Sequence, residues 1–240
     1  MSLIETAEAA ARLVDPILKA GGERTRGRVE ISNRDIKLAE DRACERAIRA
    51  YLLANSPYPV LGEEEGWGGA PPALGPHWVI DPLDGSFNYF RGVPLYAVSI
   101  ALCQGDPGPQ AALLGVIYDP VRDEMICGGE GLIVRLNGAP APPRPKGARQ
   151  MLATGYPAHA DPAAVSARLG EFTREWTKMR MLGSAALSLG WVALGRLDGY
   201  AEQGIMWWDV AAGVAIARAA GATISVAPRD RYAVDVIVAS

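Results

Sequence analysis

Histidine is scarce in this chain: His77 and His159 are the only two in 240 residues, and neither stands in an HExxH-type spacing. His77 precedes an apolar run and His159 lies in a Pro/Ala-rich stretch, so both are expected at the surface rather than as ligands or bases. With no GxSxG elbow either, a Ser/His/Asp hydrolase is disfavoured. Cysteine is equally sparse. Cys44, Cys103 and Cys127 are an odd number, widely spaced and outside any CxxC, which argues against zinc and for reduced, mostly buried thiols in a cytoplasmic protein. A GxxxxGK(S/T) loop is missing, and GGEGLIV from Gly128 lacks the third glycine of a dinucleotide fingerprint, so it reads as a turn. No apolar run is long enough to span a bilayer, and the opening MSLIETAEAAARLVDPILKAGG has acidic residues where a signal peptide has a basic region and apolar core. Nor does one sign of charge dominate. With 24 basic against 27 acidic residues the net charge is -3, which gives no footprint for a nucleic-acid polymer or a membrane; a small anionic substrate would need a local cation, such as a metal.

What the chain does have is WVIDPLDGSFNYFRGVP, starting at Trp78. Trp78, Val79 and Ile80 read as the end of a buried strand, and Pro82 fixes its own φ and removes a donor, so Asp81 and Asp84 are expected on a stiff turn at the strand's end. Two like charges so close are costly unless a cation lies between them, and oxygen-only ligands favour a hard ion such as Mg²⁺. Gly85 permits a sharp turn, and Ser86 opens a short helix whose N–H groups could hold a phosphate. Taken alone, a DxxD stretch is more often a capped turn than a site.

The chain is 49% hydrophobic, enough for one large domain or two fused halves. Helices are expected over 3–20 and from about Ile36 to Ala54, with a loop or hairpin between Gly21 and Arg34. Strands are expected over 76–80, 95–104, 111–118, 123–128 and 131–136, separated by turn-rich stretches, which suggests an antiparallel sheet. From Met151 strands at 151–154, 178–182, 197–202 and 222–226 alternate with helices at 161–175, 184–195 and 209–220. The APPRPKGARQ segment is the seam between an N-terminal half, 1–145, and a C-terminal half, 146–240.

Two further carboxylate groups stand out. Glu63, Glu64 and Glu65 follow the strand-like PVLG, and Asp209 stands where a helix-capping residue would. A glutamate run is ordinarily a solvated loop and an Asp at a helix start is ordinarily a cap, so each needs company to be a ligand. In order and spacing, GEE, then DPLDGS with Asn88 and Tyr89, then WWDVAAG resembles the inositol monophosphatase family, in the superfamily with fructose-1,6-bisphosphatases and 3'-phosphoadenosine 5'-phosphate phosphatases. The resemblance covers nearly the whole chain. It implies a layered α/β/α/β/α sandwich with an antiparallel N-terminal sheet and a smaller mixed C-terminal one. The implied activity is Mg²⁺-dependent hydrolysis of inositol monophosphate or a similar polyol or sugar phosphate. Fructose-1,6-bisphosphatase, histidinol-phosphatase and adenosine 3',5'-bisphosphate phosphatase activities are the alternatives, and a catalytically degenerate binding subunit is disfavoured because every metal carboxylate is present.

Residue by residue, the resemblance makes Glu63, Asp81 and the carbonyl of Leu83 ligands of a first metal, and Asp84 and Asp209 ligands of a second, with Asp81 shared. Asp41 and Ser86 match the pair that orients and deprotonates the attacking water, and the backbone of Gly85 and Ser86 matches the phosphate cradle. Glu202 matches the acceptor of a substrate hydroxyl, and Gly183, Ser184 and Ala185 match the backbone wall on the sugar side. Tyr156 sits where the family varies with substrate. Two or three Mg²⁺ ions, replaceable by Mn²⁺ and inhibited by Li⁺, and a homodimer are further implications. The chain departs from the family at SNRDIKLAED, where Leu38 replaces the usual Thr and Glu30 stands near the expected mobile-loop lysine. It also stops at VIVAS, where relatives usually add a final helix, so a sheet edge that is uncovered or covered by a partner subunit is expected there.

Overall fold

The computed structural model describes residues 1–22, 29–32, 35–68, 75–108, 110–142 and 150–239. The chain opens with α1 (Leu3–Arg12), started by a capping box in which the Ser2 hydroxyl accepts from the Glu5 N–H and Glu5 accepts from the Ser2 N–H. A separate α2 (Asp15–Gly22) follows. The expected single helix over 3–20 is thus two, and Pro16 is the reason: it has no N–H for the Arg12 carbonyl, and its ring crowds that carbonyl. A hairpin of β1 (Val29–Ser32) and β2 (Asp35–Leu38) pairs antiparallel. This pairing consumes residues expected in the next helix, so α3 runs from Ala39 to Asn55. Glu30 falls in β1, and its side chain lies outside the described residues, as does most of the seam segment.

An eight-stranded sheet follows, built from β3 (Val60–Gly62), β4 (Gly66–Trp67), β5 (Pro76–Asp84), β6 (Ala97–Gln104), β7 (Ala112–Asp119), β8 (Glu124–Gly129), β9 (Leu132–Leu136) and β10 (Ala139–Pro140). Its order is β10-β9-β8-β7-β6-β5-β3-β4, antiparallel throughout except where β3 runs parallel to β5. The six-residue α4 (Ser86–Arg91) leaves the end of β5. The second sheet comprises β11 (Met151–Thr154), β12 (Lys178–Arg180), β13 (Gly199–Met206), β14 (Thr223–Pro228) and β15 (Ala233–Ala239), in the order β12-β11-β13-β15-β14. It is mixed, with β11 parallel to both of its neighbours. Among these strands run α5 (Pro162–Glu175), α6 (Ala185–Ala193) and α7 (Trp207–Ala219).

The layers follow from which faces are apolar. The first sheet buries Trp78, Ile80, Ile100 and Val116 under α1 and α3, and Val79, Ala101 and Ile117 under the nearly all-apolar α6 and α7. The other side of the α6–α7 layer covers Tyr200, Val234 and Val236 of the second sheet, and α5 closes that sheet's far face through Phe172 and Trp176. Five layers result, α/β/α/β/α, with one continuous core through the middle.

Three further expectations are corrected. Residues 81–84 are not a turn beyond the strand; β5 continues to Asp84 through an irregularity in its pairing with β6 between Asp81 and Asp84. His77 is inside β5 and buried, its Nδ1 3.1 Å from the Gly75 carbonyl and its ring edge-on to Trp67, because both faces of this strand are covered. The closing VIVAS stretch is no edge: β15 pairs with β13 on one side and β14 on the other. The three cysteines are buried thiols, and among the described residues no helix is long and apolar enough to cross a membrane.

Candidate active site

Parallel pairing of β3 with β5 sets Gly62 beside Ile80, so the next residues of the two strands, Glu63 and Asp81, emerge side by side. Asp209 arrives from the first turn of α7. Oxygens of Glu63, Asp81 and Asp209 all lie within 4.8 Å of one another, and no cation among the described residues is paired with any of the three. Burial holds the protons on: Asp81 is pushed well above the ordinary carboxylate range by desolvation and by Glu63, and Asp209 likewise. Glu63 as a whole residue is exposed, yet its carboxyl group is enclosed by these neighbours, and desolvation pushes it up to about 8. Three crowded carboxyls with only oxygen to offer fit a hard divalent cation such as Mg²⁺, whose charge would offset both the desolvation and the repulsion.

Asp84 stands outside this trio. Its Oδ2 accepts from the Ser184 hydroxyl at 2.5 Å and from the Ala186 N–H at 2.7 Å, so the carboxylate sits on the first turn of α6. Burial pushes its pKa up to about 6, with these donors working against the rise. Ser184 is itself the N-cap of α6, accepting from the Leu187 N–H at 3.2 Å.

Asp41, in the first turn of α3, is 3% exposed and accepts from the Leu38 N–H at 2.9 Å. Its other oxygen is 3.3 Å from Ser86 Oγ, which also lies 2.8 Å from the Leu83 carbonyl. The two sequence-matched partners therefore meet, and burial pushes Asp41 up to about 7. Gly85 makes that meeting geometrically possible. Its φ of 90° is left-handed, and a Cβ there would stand 2.9 Å from the Leu95 carbonyl oxygen and 3.0 Å from that of Gly183.

Asp84, Gly85, Ser86, Gly183, Ser184, Ala185, Glu202 and Asp209 line one cleft of about 420 Å³, together with Tyr156. Asp41 and the Leu83 carbonyl reach the cleft through Ser86, and Glu63 and Asp81 through their contact with Asp209. Glu202 accepts from the Tyr200 hydroxyl at 2.8 Å, and burial pushes it up to about 7.

Sequence reasoning missed the supports. Glu45, fully buried on α3, accepts from the Glu64 N–H at 2.8 Å, the Glu65 N–H at 3.0 Å and Arg49 at 2.7 Å. Arg49 in turn donates to the Val60 and Gly66 carbonyls, so this pair clamps both ends of the loop presenting Glu63. The i,i+4 spacing of Glu45 and Arg49, in helical register with Asp41, was the available signal. Asn88 ties α4 across the cleft by donating to the Leu95 and Leu182 carbonyls at 2.7 and 2.8 Å.

A family model described as "Inositol monophosphatase family" matches residues 2–239. The chain belongs to the inositol monophosphatase family. It is 39% identical over 202 residues to a Nus factor SuhB of Xylella fastidiosa, covering 80% of this chain and 70% of that one. It is 34% identical over 227 residues to an inositol-1-monophosphatase of Mesorhizobium japonicum, with 89% and 83% covered. Among solved structures, an inositol monophosphatase from Anabaena superposes with a TM-score of 0.79 at 30% identity, over 97% of this chain and 88% of that one. The extragenic suppressor protein suhB of Bartonella henselae does so with a TM-score of 0.88 at 26% identity, over 100% and 94%. Membership accounts for the five-layer fold.

Proposed function

We propose that this chain is a Mg²⁺-dependent phosphomonoesterase acting on inositol monophosphate or a comparable polyol or sugar phosphate. The observation that carries the reading is the convergence of Glu63, Asp81 and Asp209 within 4.8 Å beside a cleft that Ser86 lines and Asp41 backs. Glu63, Asp81 and the Leu83 carbonyl would hold one ion, and Asp84 with Asp209 a second. Bound there, Mg²⁺ would neutralise the phosphate, lower the pKa of a water and stabilise the departing alkoxide.

The chain's own residues do the rest. Ser86 Oγ, beside Asp41 and the Leu83 carbonyl, accepts a proton of the attacking water on a lone pair while its own hydroxyl proton passes to Asp41, whose pKa of about 7 suits a base at neutral pH. The N–H groups of Gly85 and Ser86 face the phosphate. Glu202, on the opposite wall, accepts a hydroxyl of the alcohol, while the Gly183–Ala185 backbone limits its ring. No phosphoenzyme is needed, since the water attacks directly. A binding role without catalysis is what the "Nus factor" name of one relative would favour. The intact carboxylate set favours turnover.

The test is phosphate release from a panel of inositol, sugar and nucleotide monophosphates with Mg²⁺ supplied. Turnover on a polyol or sugar ester that disappears with EDTA is expected; no release from any ester overturns the reading.

A further inference from the structure

Glu63 and Asp209 reach the acidic trio from opposite halves of the chain, Glu63 on the loop between β3 and β4 and Asp209 from the first turn of α7. Within the first half that loop is already held: Glu45 accepts from the Glu64 and Glu65 N–H groups, and Arg49 donates to the carbonyls of Val60 and Gly66. Those bonds fix the loop against α3 but do not reach α7. The first turn of α7 has its own tie to the first sheet, because Ser99, which faces Asp81 across the β5–β6 ladder, donates to the Trp208 carbonyl at 2.9 Å. The spacing of Asp81 and Asp209 therefore has a support that does not involve Glu63.

A residue outside every motif joins the Glu63 loop to α7. Tyr232, in the turn between β14 and β15, grips both sides. Its hydroxyl accepts from the Trp67 indole N–H at 2.9 Å, and Trp67 ends β4, the strand that leaves the Glu63 loop. Its carbonyl accepts from the Trp207 N–H at 2.8 Å at the start of α7, and its ring meets that of Trp208, the residue before Asp209, with centroids 5.6 Å apart. The turn is itself stiffened, since Asp230 accepts from the N–H groups of Tyr232 and Ala233 at 3.0 and 2.8 Å. One side chain thus spans from the element carrying Glu63 to the element carrying Asp209. A phenylalanine would satisfy the packing; an indole N–H aimed at a phenol oxygen also fixes distance and angle.

We propose that Tyr232 is a positioning residue for the metal centre: its bond to Trp67 sets the span between Glu63 and Asp209 in advance, so that a cation need not draw the two halves into register. The inference rests on the cation-site reading of the trio. Tyr232→Phe keeps the aromatic packing and loses one hydrogen bond, so Mg²⁺ should bind about fivefold more weakly by calorimetry, and the Mg²⁺ concentration giving half-maximal phosphate release should rise by the same factor. Trp67→Phe breaks the same bond from the other side, and the double variant should bind no more weakly than the weaker single one. Tyr118→Phe is the control. It removes a hydroxyl bonded to Asp15 and Asp123 and should lower the melting temperature while Mg²⁺ affinity stays within about twofold of wild type. Mg²⁺ affinity within about twofold of wild type in Tyr232→Phe, losses that multiply in the double variant, or an equal loss in Tyr118→Phe overturns the assignment. A wild type that binds no Mg²⁺ overturns both the assignment and the cation site. A wild type that binds Mg²⁺ and hydrolyses no ester removes the phosphatase reading alone, and the ratio of affinities still decides for or against Tyr232.

Discussion

At the scale of single residues, the informative quantity is the cost of holding carboxylates that lack cations. Asp81 is 1% exposed, faces Glu63, Asp84 and Asp209, and receives one N–H, from Leu83 at 2.9 Å. Asp81→Asn should therefore do two opposite things. Turnover should fall about 100-fold or more, because a central charge ligand is lost, while the metal-free protein should melt at a higher temperature because folding no longer has to protonate a buried carboxylate at that position. Phosphate release and a melting curve in EDTA check both; activity above about a tenth of wild type would remove Asp81 from the metal site. Ser86→Ala separates the nucleophile machinery from binding. Its hydroxyl acts on the water, so kcat should drop about 100-fold with KM within about threefold, and ¹⁸O-water should label the released phosphate without a trapped phosphoenzyme. For Glu202, which touches only the alcohol side, Glu202→Gln should change the ranking among polyol phosphates and leave Mg²⁺ binding by calorimetry within about twofold. An unchanged ranking would exclude it from the pocket.

At the scale of elements, α3 and the β3–β4 loop act as one device. Glu45 and Arg49 are buried together, and neither can lose its partner cheaply. Glu45→Gln leaves the buried Arg49 guanidinium with only the partly exposed Glu65 carboxylate, 3.8 Å away, as a counter-charge, at a cost of roughly 3 kcal/mol, and slackens the loop carrying Glu63. The double change Glu45→Gln with Arg49→Met should recover most of the stability. It should not recover the Mg²⁺ affinity, because the Glu64 and Glu65 N–H groups still lack their carboxylate. Equal Mg²⁺ affinity in the double variant and wild type would reduce Glu45 to a packing residue. The same elements show what the sequence carries locally. Asp81, Gly85 and Ser86 were legible because proline and glycine mark their backbone, and the family order picked out Glu63 and Asp209. The clamp was not, because Glu45 gains its role only when β3 pairs with β5 and brings the loop over α3. His77 and β15 misled for the same reason: burial of one and interior placement of the other are set by strands distant in sequence. The break at Pro16 was different, since the residue that ends α1 was in plain view.

For the whole molecule, the site sits where two sheets and the α6–α7 layer meet, so its electrostatics act on global stability. Asp41, Glu63, Asp84 and Glu202 have folded-state pKa values of about 7, 8, 6 and 7, all raised above their unfolded values. Between about pH 4, the unfolded carboxylate range, and pH 8, the folded chain holds more protons than the unfolded one. A raised carboxyl pKa thus costs nothing below the unfolded value and costs progressively more as pH climbs to the folded one. Metal-free protein should therefore lose stability across pH 5 to 8, the reverse of a protein whose carboxylates are ion-paired. Mg²⁺ should cancel most of that loss, because it binds the ionised folded site and not the unfolded chain. Melting temperatures in EDTA and in Mg²⁺ would diverge as pH rises, by several degrees at pH 8 and by little at pH 5. Parallel curves would mean that Glu63 and Asp84 do not belong to a cation site, and the five-layer fold would then hold them for some other purpose.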